Sequence, residues 1–452
     1  MYCIVHSPKS HQRIRRSLQL AALDDLLPDA EIEAICRQLR HRWRKRRLPP
    51  GVTLRSMVYR GLHPDHSIAA MLADLAAQLG PDEPAPTDSA WCQARSRLPQ
   101  RVLTELITRR ALACRRRFGR TKRWHGRYVF RIDGSTVSMP DEPALVKAFG
   151  YADTRHGLSR FPVGRITFIE LAGLNVIWNH RLGHYTCSEE RQLYNMWHTL
   201  PTGCICLLDR RFCSFYNLAK LRQRRIGVLT PLHQRRDPHK MSSLGRPLGK
   251  DQWLVPLDLA PQLRRKYNDR TLPGVLWVRL IRVRFLRGTR HKTLWLVTTL
   301  LDPVEFPRDE LAELYRARWP IETRIGALKT TLEMNVLRGK SPGAVRREVA
   351  SIILGHNLVW ALMHEAGAVT DTPADDISFA GAVKTVLAFS PALRQARRAQ
   401  RRRIHDRMLH HIARQKNHHP FDRVEPRLIK REIARYAYLR EPRWKAREKC
   451  LS

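Results

Sequence analysis

Two aspartates close short apolar runs in the middle of the chain, Asp133 in YVFRIDGST and Asp209 in CICLLDRRF. A sheet fixes the backbone of such a residue while its carboxylate projects from the strand's carboxyl edge, where sites of α/β proteins form. Two such strands side by side would put both carboxylates within reach of one divalent cation, and hard cations take oxygen ligands. Gly134, next in sequence, lets the backbone turn or approach a ligand closely. Taken singly, either aspartate could equally be a turn former or a helix cap. A third acid, Glu322, stands among three arginines in LYRARWPIETRIGALK. Arg318, Glu322 and Lys329 follow Tyr315 by 3, 7 and 14 positions. At about 100° per residue the four share an arc of about 60° on one helix face. A solvated face with loose ion pairs would explain these charges, but not the aromatic residue in their stripe. Pro320 disfavours helical geometry at Trp319, so either the helix kinks or a new one starts with Pro320 in its first turn.

The rest of the chain must position these groups. The 452 residues suffice for two or three domains, and 43% hydrophobic with 27% charged residues is a globular composition. Lys and Arg number 82 against 41 Asp and Glu, an excess that points to a polyanionic partner, nucleic acid before an anionic membrane surface. No segment approaches the roughly 20 apolar residues of a spanning helix, and the start has no long apolar signal core, which predicts a soluble intracellular protein. The nine cysteines are scattered without a C-x-x-C pair, so reduced thiols acting as small apolar residues are expected rather than structural zinc.

Residues 1–120 read as a helical N-terminal region. DDLLPDAEIEAICRQL, SIAAMLADLAAQL and RVLTELITRRALACRRR carry helical periodicity, and RHRWRKRRLPP sets Arg42, Arg44 and Lys45 around Trp43. From about 125 the period falls to 2. SEERQLYNMWHTL is helical, with Ser188 as cap. The segment 228–300 is β-rich, and VLWVRLIRVRF, the turn LRGTR and TLWLVTTL make a hairpin, with Arg279 and the turn arginines leaving one side basic. Trp277 and Trp295 there could stack on an unpaired base or pack the hairpin. Helices return after Pro307. The last 62 residues hold 19 Lys and Arg against 6 Asp and Glu, which suits phosphate contacts. A mixed α/β core over 121–345, flanked by a helical, basic region over 346–452, is therefore expected.

Together these stretches resemble the DDE transposases of the insertion-sequence-four family. Tyr315, Arg318, Glu322 and Lys329 fit that family's Y-x₂-R-x₃-E-x₆-K signature. DGSTVSMPD and LLDRRF resemble the segments around its two catalytic aspartates, and DSAWCQARSRLP and EPRLIKRE its terminal regions. Arg211 stands where the family often has glycine. The resemblance implies a ribonuclease-H-like core with Asp133 on the first strand, Asp209 on the fourth and Glu322 on a late helix, and the β-rich insertion before Glu322. It implies catalysis by Asp133, Asp209 and Glu322 as ligands of two Mg²⁺ or Mn²⁺ ions, with Tyr315, Arg318 and Lys329 holding phosphates. Arg42, Arg44 and Lys45 would contact the DNA backbone. The substrate would be double-stranded DNA, the terminal inverted repeats and the target, bound by a homodimer in a cytoplasmic, nucleoid-associated synaptic complex. A nuclease without strand transfer and a non-catalytic DNA-binding descendant are the rival readings.

Overall fold

A computed structural model describes residues 26–44, 48–76, 84–154, 157–287, 290–318 and 320–417, with 445, 448 and 449. Lys45 and EPRLIKRE lie outside the described residues. The first helices are α1 (Asp29–Gln38), α2 (Pro50–Leu62), α3 (Ile68–Ala76), α4 (Asp88–Arg97) and α5 (Gln100–Phe118). Acids at the start of α1 and arginines at the end of α5 complement the helix dipoles.

The chain then enters a sheet. β1 (Val129–Ser138), α6 (Pro143–Phe149), β2 (Tyr151–Thr154), β3 (Gly157–Leu171) and β4 (Val176–His184) are followed by α7 (Glu189–Tyr194), β5 (Ile205–Leu208), α8 (Phe215–Gln223) and β6 (Gly227–Pro231). β3 runs antiparallel between β1 and β4, while β1, β5 and β6 are parallel neighbours. This is the mixed α/β, ribonuclease-H-like arrangement that the resemblance implied. Because the short β2 also counts, Asp209 follows the fifth strand in chain order rather than the fourth.

The β-rich segment adds α9 (Pro238–Ser243), β7 (Arg246–Gly249), β8 (Gln252–Asp258), α10 (Pro261–Tyr267), β9 (Val275–Arg287) and β10 (Arg290–Thr298). Its hairpin forms as expected, β9 pairing with β10. β10 also pairs with β6, so the insertion extends the catalytic sheet to ten strands. The basic side expected of the hairpin does not include Arg279. That side chain is fully buried, its guanidinium donating to Gln252 and to the carbonyls of Asp302 and Phe306.

After the sheet come α11 (Arg308–Arg316), α12 (Pro320–Thr330), α13 (Pro342–Thr370), α14 (Phe379–Gln395) and α15 (Arg398–Arg414). α13 is a 29-residue spine packed on α2, α5 and α15. Gly61 makes its crossing with α2 close, since a Cβ there would lie 3.3 Å from the Ile352 backbone. Among the described residues no helix is long and apolar enough to cross a membrane. The described cysteines are free, most of them buried in the core.

Strand alternation gives the sheet two apolar faces. Phe130, Ile132, Cys206 and Leu208 belong to the main core with the terminal helices. Val129, Ile205 and Leu207 join a second core with Leu311, Leu314 and Tyr315 of α11. One charged network is buried beside them. Arg131 of β1 faces Glu170 of β3 at 3.2 Å, and Arg324 of α12 reaches Glu170 at 3.7 Å and Asp375 at 2.7 Å. Glu170 is wholly buried, so removing its charge strands two guanidinium groups in low dielectric. Glu170→Ala is expected to cost about 3–5 kcal/mol of folding free energy in urea unfolding; a loss under about 1 kcal/mol would mean that the network does not hold α12 to the sheet.

Candidate active site

β1 does not end at Asp133. It runs on to Ser138 because Gly134–Ser138 pair with Val163–Thr167 of β3. What ends is β5. The last parallel pair is Ile132 with Leu208, so Asp133 and Asp209 each stand one residue beyond it. Both share the strand face of Val129, Arg131, Ile205 and Leu207 by alternation, which is the face covered by Tyr315. The two-strand juxtaposition expected from the sequence is therefore present, created by the end of one strand only.

Gly134 is not a turn residue. It lies within β1, and a Cβ there would sit 2.3 Å from the carboxyl carbon of Glu189. Its bare Cα makes room for that carboxylate beside Asp133. Glu189 opens α7, capped by Ser188 as expected, the Ser188 hydroxyl accepting from the Arg191 amide. Neither alternative reading of the aspartates holds for Asp209, which precedes a short 3₁₀ turn without capping it. Its carboxylate has no hydrogen-bond or ion-pair partner among the described residues, while its carbonyl accepts from the Thr230 hydroxyl at 3.1 Å. Arg211 lies in that 3₁₀ turn and is not among the residues with positive φ, so a side chain fits where glycine was expected.

Tyr315, Arg318, Glu322 and Lys329 do not form one helix face. α11 stops at Arg316 and α12 starts at Pro320, the second of the two outcomes that the proline allowed. Arg318 lies in the intervening turn, and this frees its guanidinium to bridge two elements. It donates to Asp133 at 3.3 Å and to Glu322 at 2.8 Å. Its Cζ stands 5.8 Å from the centre of the Tyr315 ring. Tyr315 itself is buried in the second core, and burial pushes its hydroxyl up to about 12. It remains protonated and seats Arg318 as packing. Lys329 is half-buried on α12; burial lowers its ammonium below the ordinary lysine value, and no partner is recorded for it.

The donors are hard carboxylate oxygens and the site already holds a cationic group, so its chemistry fits a divalent metal. Among the described residues no three acidic, histidine or cysteine side chains are grouped closely enough to hold an ion, because Arg318 stands between Asp133 and Glu322. Arg42 and Arg44 lie in a segment without regular structure after α1. Of the insertion tryptophans, Trp295 packs on Trp253 and Trp277 stays exposed. Sequence reasoning missed Glu189, Glu170 and Arg324. The charge of Glu170 within the apolar run RITFIEL was a signal for the buried pair.

Desolvation raises the Asp133 carboxyl to about 6, helped by Asp209 and Glu189 and opposed by the Gly134 amide and Arg318. The folded chain therefore favours the neutral acid. That contribution to stability is complete below about pH 4 and is lost as pH rises through about 6. In metal-free buffer Asp133→Asn is expected to be more stable than the parent by about 2–3 kcal/mol at pH 8, with the gap closing near pH 4. Equal urea midpoints at both pH values would contradict a strained carboxylate.

Comparison with known proteins now adds to the geometry. The transposase DDE domain family matches residues 124–358, and the insertion element 4 transposase N-terminal family matches residues 17–108. The transposase InsG for insertion sequence element IS4 of Escherichia coli (strain K12) is 27% identical over 322 residues, 70% of each chain. The piggyBac transposase, solved as a synaptic complex with hairpin DNA, aligns over 90% of this chain and 84% of its own, at TM-score 0.42 and 10% identity. With the DDE family matching more than half of its length, the chain belongs to the DDE transposases of the insertion-sequence-four family, DNA-cleaving and strand-transfer enzymes that depend on a divalent metal.

Proposed function

We propose that Asp133, Asp209 and Glu322 are the metal ligands of this transposase and that it cuts and rejoins the terminal inverted repeats of its element. The observation that supports this most is the register of β1 and β5, which sets Asp133 and Asp209 side by side with Arg318 tying Glu322 to them. Two Mg²⁺ or Mn²⁺ ions, when bound, supply a nucleophilic water or 3′-hydroxyl and neutralise the leaving oxygen. Glu322 is the most exposed of the bridged groups, its side chain 55% accessible, and turns from Arg318 toward Asp133. Arg318, so released, takes a DNA phosphate through two parallel N–H groups. Lys329 adds a compact charge and Tyr315 positions Arg318.

In the same reading residues 1–120 bind DNA, 121–345 form the catalytic core with its insertion near 228–300, and 346–452 form a basic helical flank. Arg42, Arg44 and Lys45 contact phosphates, and two copies pair in the synaptic complex on cytoplasmic, nucleoid-associated DNA.

Glu322→Gln is expected to abolish Mg²⁺-dependent cleavage of duplexes carrying the element's ends while leaving their binding intact, read on denaturing gels and by anisotropy. If the parent binds the ends but cuts them with neither Mg²⁺ nor Mn²⁺, the non-catalytic reading replaces this one. Cleaved ends that never join a target would favour the nuclease. For the terminal contacts, Arg44→Gln is expected to weaken all duplexes alike and to make the log–log salt slope shallower by about 0.9. An unchanged slope would remove Arg44 from the phosphate contacts.

A further inference from the structure

Beside α1 the chain turns at Arg40, whose φ is 56°, and residues 41–44, without regular structure, pass the start of α2 and the end of α4. They enclose a cavity of about 380 Å³, within the range of about 300–1,000 Å³ typical of small-molecule sites. Its rim carries Arg42, Arg44 and Arg97, all exposed. None of the three has an ion-pair, hydrogen-bond or ring partner among the described residues. Several guanidinium groups elsewhere in these helices are matched, Arg55 with Asp29, Arg110 with Glu31 and Arg60 with Glu348. No acid lines the cavity. Three unmatched cations around one hollow repel each other, a cost that an arriving anion removes.

A phosphate alone would leave most of the space empty, and the walls are not built for one. Trp43 and His41 line the cavity with rings inclined by only 21° and centred 6.1 Å apart, over an apolar floor that includes Leu48 and Leu98. Burial holds the His41 imidazole below its ordinary value, so near neutral pH it is an uncharged ring. Flat rings, an apolar floor and a cationic rim without acids match a ligand with one aromatic face and one anionic group. Base stacking on aromatic side chains tolerates any base, and arginine grips phosphate with paired donors.

We propose that this cavity receives one unpaired nucleotide of the bound DNA, its base stacked on Trp43 and its phosphates held by Arg42, Arg44 and Arg97. The inference rests on the reading that the N-terminal helices bind DNA, and adds that they hold a nucleotide outside the duplex stack. The distinction from phosphate contacts alone is the base. Removing the base while keeping the backbone separates the two.

The test uses the full chain at one salt concentration and three duplexes that differ at a single site: fully paired, with one unpaired 2-aminopurine, and with an unpaired abasic position. Affinity is read by anisotropy and stacking by quenching of the 2-aminopurine. The parent is expected to bind the 2-aminopurine duplex about tenfold more tightly than the other two, with its fluorescence quenched. Trp43→Leu keeps the apolar packing and is expected to lose both the preference and the quenching, while fully paired DNA binds within about twofold of the parent. Arg97→Gln, at an exposed position, is expected to lose most of the preference and serves should Trp43→Leu not fold. Binding of all duplexes without preference would overturn this inference and leave the DNA reading standing. So would a preference that survives both substitutions. Failure to bind any duplex would overturn both. Displacement of the unpaired base by millimolar deoxyadenosine monophosphate at unchanged duplex affinity would make a free nucleotide, not the strand, the occupant.

Discussion

Carboxylates gathered at the end of a parallel strand pair repel one another, and here Arg318 stands among them as their counter-charge. Its side chain is nearly as inaccessible as the core, so its charge is kept there by the acids around it. Burial alone would lower the Arg318 guanidinium, yet Tyr315, Asp133, Glu322 and Asp209 together raise it above the ordinary arginine value. The pattern, acids around one cation, is the charge pattern of a metal centre made from protein. It explains why the helix must break between α11 and α12: a continuous helix would leave Arg318 on a fixed arc, whereas the turn lets it span β1 and α12. Behind it the Arg131–Glu170–Arg324 cluster repeats the arrangement with the signs reversed, one buried acid between two guanidinium groups. The first cluster joins α12 to β1 at Asp133, and the second joins α12 to β1 and β3 at Arg131 and Glu170.

The elements were largely legible in the sequence. Period-2 alternation marked β1 and β3, a short apolar run marked β5, and helical periodicity marked α1, α3 and α5. The aspartate pair was found from apolar runs closing on acids. The error about where β1 ends has a local cause: GSTVS is polar and carries glycine, yet it pairs with β3, a long-range partner that no local pattern reveals. Arg279 misled for the opposite reason. Alternation placed it correctly on one side of the hairpin, but the covering segment around Asp302 and Phe306 lies outside that hairpin. The helix arc through Tyr315 failed at Pro320, where the sequence offered two outcomes and only packing chose. Glu189 was visible only as a helix-opening acid, since its closeness to Asp133 depends on the missing Cβ of Gly134, a three-dimensional coincidence of two elements more than fifty residues apart.

The surplus of positive charge is not spread evenly in its effect. Many arginines of the helical regions are spent on structure, locked to acids or stacked on rings, as Arg115 is over Tyr128 and Trp178. Cations left unmatched, such as Arg42, Arg44 and Arg97, are those free to meet a polyanion, so net charge overstates the binding surface and the list of matched pairs defines it better.

The contact of α2 with α13 joins parts of the chain made far apart in time. Gly61 lies against Ile352, and Arg338 donates to the carbonyl of Pro64 across 274 positions. At translation rates of about 5–20 residues per second, some 15–60 s separate the synthesis of the two sides. Until then the apolar flank of α2, Val58 and Leu62 among it, has no α13 to cover it. A nascent N-terminal region is thus an unfinished fold, and the helix that completes it, α13, is made after Glu322 and the rest of α12. Packing of the N-terminal helices is therefore finished only after the segment that carries Glu322 has been made, not ahead of it.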